Sequence, residues 1–183
     1  MGELKGLGDV VVTGAVNLDF RRPAMDLIPA FEAFRDAFLP TDVDMWSGVF
    51  ESGRTNVPAY VEQAGRLACG EIEALVPTDT FWVFSGEEMA GELHVRHYLR
   101  KTLLRHGGHI GYSVQPKFRS RGVATAMLRF GIDRLRELGE VDALVTCDEG
   151  NVASARVIER CGGVRIPDSI AHGRPHRRYL IPV

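Results

Sequence analysis

Gln115–Thr125 reads QPKFRSRGVAT, and the change of period across this stretch sets the fold. Upstream of it, His109–Gln115 (HIGYSVQ) is rich in β-formers and predicts a strand. Downstream, Ala124, Met127, Leu128, Ile132, Leu135 and Leu138 fall on one stripe at helical spacing. They predict a helix over Gly122–Leu138, with Gly139 as its stop. A strand that enters a helix through a glycine turn leaves the first helical N–H groups without intrahelical partners. Those donors and the positive end of the helix dipole form an anion site. Gly122 and Ala124 leave the donors uncrowded, Arg119 and Arg121 add full charges, and Lys117 stands further out. A capped helix with solvated arginines is the alternative for so short a motif.

The pattern extends in both directions. Thr80–Ser85 and Gly91–Tyr98, joined by Gly86-Glu87-Glu88, predict a hairpin. Earlier, Val10–Phe20 predicts a first strand, and Leu27, Ile28, Phe31, Phe34 and Phe38 a helix ended by Pro40. Leu39–Asn56 reads as a loop, and Pro58–Leu75 as a second helix. Later, Val141–Cys147 is nearly all apolar, as in a strand covered on both faces. Asn151 caps a short helix through Arg160, and Val164–Ile166 and Arg178–Ile181 close the chain as short strands. The sum is an α/β fold with a mixed sheet.

Composition narrows the chemistry. The 183 residues suit one domain spanning 1–183, and 45% hydrophobic residues suffice for a core. A net charge of -2 is not the basic balance of a dedicated nucleic-acid binder, so no nucleic-acid partner is expected. Cys69, Cys147 and Cys161 form no CxxC, which argues against a disulfide scaffold or zinc site. No apolar run approaches a membrane span and the N-terminus lacks a secretion-signal plan, so a cytoplasmic location without membrane contact is expected. GxxxxGK[ST] is absent, and no GxGxxG follows a strand. His94 and His97 point to opposite strand faces. Gly173 and Pro175 deny His172 and His176 a helical pairing. No metal site is expected.

Arg119-Ser120-Arg121-Gly122-Val123-Ala124 matches R-x-x-G-x-A and resembles the coenzyme A pyrophosphate loop of the GNAT superfamily of acetyltransferases. Val114-Gln115-Pro116 before it, and Asn151-x-x-Ser154 opening a Gly-ended helix after it, resemble two further marks of that superfamily. Order and spacing agree over roughly Thr80–Gly163, and the nearest likeness is to a branch of largely predicted, substrate-unassigned acetyltransferases. The resemblance implies a mostly antiparallel central sheet with helices on both faces and a splayed strand pair holding the coenzyme. It implies acetyl-CoA as cosubstrate and a small-molecule amine as acceptor, with protein acetylation or a non-catalytic acyl-CoA-binding module as alternatives. It also allows a homodimer.

On these positions the resemblance assigns the pyrophosphate to Arg119, Arg121, Gly122, Val123, Ala124 and Thr125. Pantetheine falls to backbone near Ser113 and Val114, with Asn151 and Ser154 on the arm. Acetylating an alkylamine of pKa ~10.4 requires a base. His109, on the strand before the loop, is the first candidate; Glu92 and His94 on the neighbouring strand compete. Glu92, His94 and Arg96 share a face that lines the cleft or meets water. Many relatives place a Tyr seven residues after the capping Asn as general acid, where this chain has Ile158. Tyr112 and Tyr179 are the substitutes, solvent a third source of the proton. Asp42, Asp44 and Glu51 would draw a cationic amine to the cleft, or form a solvated acidic loop.

Overall fold

The computed structural model describes residues 9–13, 16–38 and 56–183. The expected loop Leu39–Asn56, with Asp42, Asp44 and Glu51, lies outside the described residues except for Asn56. Strands β1 (Asp9–Thr13) and β2 (Val16–Arg21) pair antiparallel, so the single strand expected over Val10–Phe20 is two. That run has no Pro or Asn-Gly signal, and a reversal inside it leaves its β-branched pattern intact. Helix α1 (Ile28–Asp36) follows a 3-10 turn at Met25–Leu27.

Helix α2 (Val57–Ala68) is capped by Asn56, whose Oδ1 accepts the Ala59 N–H at 3.1 Å. It stops well before the Leu75 expected of it. Gly70 turns to φ +72°, and the Gly70 and Glu71 N–H groups close back on the carbonyls of Leu67 and Arg66. The apolar residues beyond, Ile72 and Leu75, carried the helical period past its physical end.

Strands β3 (Thr78–Ser85) and β4 (Glu88–Arg96) form the central hairpin, turning on Gly86-Glu87. Then come β5 (Ile110–Val114), α3 (Val123–Glu137), β6 (Asp142–Asp148) and α4 (Val152–Arg160). The closing hairpin, β7 (Val164–Ala171) and β8 (Arg174–Pro182), is longer than expected. Its outer strand β7 is mostly exposed and held by its ladder to β8, so hydrophobic pattern does not report it.

The strands form a five-stranded sheet β1-β2-β3-β4-β5 and a three-stranded sheet β6-β8-β7, with antiparallel ladders throughout. No ladder joins β5 to β6. The sheets meet at the foot of β5, where the His109 N–H donates to the Leu144 carbonyl at 2.7 Å. The Leu144 N–H in turn donates to His109 Nδ1 at 2.9 Å. Gly108 makes the approach possible: its φ is +59°, and a Cβ there would overlap the Leu144 carbonyl.

Helices cover both faces of the sheet. On one, α3 seats Met127, Leu128 and Leu135 against Ile110, Leu93 and Val145 in the larger core. On the other, α1 and α2 bring Phe31, Phe34 and Tyr60 onto Trp82, Phe84 and Met89, with Phe31 stacked on Trp82 at 4.7 Å. Asp79, 2% exposed, accepts from Arg22 Nη1 (2.8 Å) and Arg134 Nε (2.7 Å), tying α3 to the start of β3. Among the described residues no helix is long and apolar enough to cross a membrane.

Candidate active site

Gly122 caps α3 in the left-handed region (φ +84°), with no side chain accepting from the first turn. The first intrahelical bond is Ala126 N–H to the Gly122 carbonyl at 3.0 Å, so the Val123, Ala124 and Thr125 N–H groups lie ahead of it. A Cβ on Gly122 would meet no protein atom within 4 Å; the space before the helix is open. Those are the conditions for receiving an anionic group on backbone donors.

This helix end opens a groove of about 630 Å³ between β5 and α4. Of the residues expected to hold a coenzyme, Ser113, Val114, Arg119, Gly122, Val123, Ala124, Thr125, Asn151 and Ser154 line it. Arg121 does not; its guanidinium lies 5.9 Å from the Phe118 ring centroid. Arg119 Nε donates to the Val114 carbonyl at 3.3 Å. Asn151 caps α4, its Oδ1 accepting the Ser154 N–H at 3.0 Å. Across the groove, the Tyr112 and Ser154 hydroxyls are 2.9 Å apart.

The opposite face of the sheet is polar along β4, and buried rather than wet. Glu92 is 1% exposed; its Oε1 accepts the Tyr60 hydroxyl (2.6 Å) and Trp82 Nε1 (3.1 Å). Burial, with the Glu92 charge beside it, pushes the Tyr60 hydroxyl well up, so it stays a proton donor. Glu92 Oε2 faces His94 Nε2 at 3.4 Å, and His94 Nδ1 is 3.2 Å from the Thr80 hydroxyl. Gly111 and Ser113 stand opposite His94 and Glu92 in the β4–β5 register, so the polar row reaches the strand that borders the groove.

The chain's sequence places this architecture. A family model described as an acetyltransferase (GNAT) domain matches residues 50–164. The chain belongs to the GNAT acetyltransferase family. No curated protein matches it in sequence. Among solved structures, RimL, a ribosomal L7/L12 alpha-N-protein acetyltransferase, superposes at TM-score 0.69 with 15% identity, covering 100% of this chain and 99% of its own. The microcin C7 self-immunity acetyltransferase MccE, solved with acetyl-CoA and AMP, gives 0.70 at 14% identity over 93% and 94% of the two chains. RimJ of Mycobacterium smegmatis, solved with CoA-disulfide, gives 0.68 at 19% over 92% and 83%. At such identities the likeness is one of fold. Acetyl-CoA is the acetyl donor of GNAT domains, and the open helix end with its lined groove fits that molecule.

Within this GNAT fold the candidate catalytic side chains part company. His109 Nδ1 accepts a backbone N–H, which places the ring proton on Nε2, 3.8 Å from Glu140 Oε2. Burial pushes His109 down to about 4, with the Arg96 charge adding to it. The ring is therefore neutral at pH 7 but has no free lone pair for an acceptor proton. It is a clamp between the sheets. Tyr179 is fully buried in the core, its hydroxyl given to Glu159 at 3.2 Å, and it does not line the groove. Ile158 is likewise core. Glu92 is the candidate base that stays within one polar network on the sheet face.

Several residues escaped the sequence reading. Ala153, Arg156, Val157 and Arg160 line the groove from α4, a face that helical spacing from Asn151 could have shown. His172 and His176, expected to stay apart, both pack on His106, with ring centroids at 5.3 and 4.6 Å. The hairpin turn at His172-Gly173, not a helix, brings them there. Among the described residues no group of three or more His, Cys, Asp or Glu could hold a metal ion.

Proposed function

We propose that this protein transfers the acetyl group of acetyl-CoA to the amine of a small molecule, such as an antibiotic or a metabolite. The observation that carries the reading is the buried Glu92, held by Tyr60 and Trp82 beneath α1 and α2, beside the strand that borders the coenzyme groove. A carboxylate so enclosed suits an acceptor small enough to enter under the helices.

The open N–H groups of Val123, Ala124 and Thr125 hold the pyrophosphate, supported by Arg119, while Asn151, Ser154 and the β5 backbone at Ser113 and Val114 orient the pantetheine arm. Bound acetyl-CoA supplies an activated thioester carbonyl. The amine nitrogen attacks that carbon, the C–S bond breaks, and the amine proton leaves. Removing that proton at pH 7 costs ~4.6 kcal/mol for an alkylamine; Glu92 receives it, directly or by way of His94. Tyr112, whose hydroxyl lines the groove beside Ser154, is the side chain placed to return a proton to the thiolate. An N–H of β5 stabilises the oxyanion.

Peptide N-termini are the second reading, favoured by the neighbour RimL, named as an alpha-N-protein acetyltransferase. Incubation with acetyl-CoA and a panel of amines and peptides, following free thiol, separates the two. Turnover with small amines supports the proposal, and turnover confined to peptides overturns it. Tight CoA binding without turnover leaves an acyl-CoA-binding module.

A further inference from the structure

The polar face of the central sheet has a second end. In the β3–β4 register Trp82 stands opposite Glu92, Thr80 opposite His94 and Thr78 opposite Arg96. Glu92 and Arg96 therefore bound a strip four residues long, about 13 Å at the rise of a strand, with His94 and the side-chain-free Gly111 midway. In the interior Asp79 is matched by Arg22, Arg134 and His97. Arg96 is different. Its Nη1 donates to the carbonyls of Gly107 (3.2 Å) and Gly108 (3.0 Å), and among the described residues Nε and Nη2 have no hydrogen-bond partner and no carboxylate lies within ion-pair distance. Its Nη1 packs beside Gly111, 3.8 Å from where a Cβ on that glycine would stand.

We propose that Arg96 is a specificity-determining residue: the acceptor amine carries an oxyanion of its own, a carboxylate or phosphate, which the free Nε–Nη2 edge of the guanidinium grips while the amine lies toward Glu92. The inference rests on the amine-acetylation reading and names its substrate class. The chemistry favours it because a guanidinium edge matches a two-oxygen anion. Burial alone pulls Arg96 down to about 10, a cost that an anionic ligand offsets.

The test uses the whole protein with acetyl-CoA and matched acceptors: α-amino acids against their carboxamides, and phosphoethanolamine against ethanolamine. The anionic member of at least one pair is expected to have kcat/KM higher by about tenfold or more. The preferred pair tells carboxylate from phosphate. Arg96→Gln should bring the anionic member down to its neutral partner by raising KM, and Arg96→Lys should restore part of the preference. In parallel, calorimetry on the CoA-loaded wild type compares the N-acetylated form of each anionic acceptor with that of its neutral partner, and needs neither turnover nor a variant. Tighter binding of an anionic form sustains the inference even if no amine is turned over, in which case only the catalytic reading falls. Equal affinity and equal turnover within every pair overturn it, as does a preference that survives in Arg96→Gln.

Discussion

The Tyr112 hydroxyl and the Ser154 hydroxyl, one on β5 and one on α4, stand 2.9 Å apart across the groove where the two sheets separate. Tyr112 is thus the tyrosine of this chain placed at the groove, while Ile158, where the family resemblance leads one to expect a tyrosine, fills the core. Tyr112→Phe should lower kcat by about a hundredfold, the scale of a lost general acid, with CoA affinity little changed. Equal kcat for the two proteins would remove Tyr112 from the chemistry and leave solvent as the proton source.

Gly122 holds φ +84° at the mouth of α3. A side chain there is strained by about 1–2 kcal/mol, and a carboxylate would also occupy the open space before the helix. Gly122→Glu is expected to abolish the rise in Tm that CoA confers, with the unliganded protein still folded. A CoA-dependent shift equal to wild type would place the coenzyme elsewhere.

The groove at the start of α3 was legible because its determinants are local. Arg119, Gly122 and Asn151 act through turns and caps that a few consecutive residues determine, and α3 and α4 announce themselves by period. The proposed acceptor side was not. Glu92, His94 and Arg96 alternate with apolar residues as any half-solvated strand does, and only packing from elsewhere in the chain buries Glu92 and His94. Likewise His109 looked like a base on a strand. Its clamp on Leu144 joins residues 35 apart, and no spacing rule reports such a bond.

That clamp sets an acid limit on stability. His109 has its folded value lowered from 6.5 to about 4 by burial, so the unfolded chain binds its proton first. The contribution is whole above pH 6.5 and is lost as pH falls toward 4, at most ~3 kcal/mol. In His109→Gln, an amide that can still accept the Leu144 N–H, denaturant unfolding should show a flatter stability profile over that window. Parallel wild-type and variant profiles would refute the assignment.

Asp79 predicts the opposite partner effect. Burial works to raise its carboxyl, but the hydrogen bonds and charges of Arg22 and Arg134 prevail and hold it below the ordinary value. Its contribution is present above pH 3.8 and is lost as pH falls through the lowered folded value. Asp79→Ala leaves both arginines without their shared carboxylate and should cost about 3 kcal/mol or more by chemical denaturation. A loss within ~0.5 kcal/mol would mean the arginines are adequately solvated without it.

In the proposed mechanism Glu92 takes the amine proton. Glu92→Gln keeps the shape and an oxygen to accept from Tyr60 and Trp82, so the α1–α2 packing should survive and the Tm should change little. What is lost is a carboxylate able to take the amine proton. Turnover at neutral pH should fall by about a hundredfold or more. It should recover partly as pH rises toward the amine's own pKa of ~10.4, where the acceptor loses its proton unaided. Tyr60→Phe supplies the control. It removes one hydrogen bond to the carboxylate without removing the base, so it should lower turnover less and alter the pH profile instead of abolishing it. Were Glu92→Gln to turn over amines at the wild-type rate and pH profile, the proton would have to leave through water alone, and the buried carboxylate would be only an anchor for Tyr60 and Trp82.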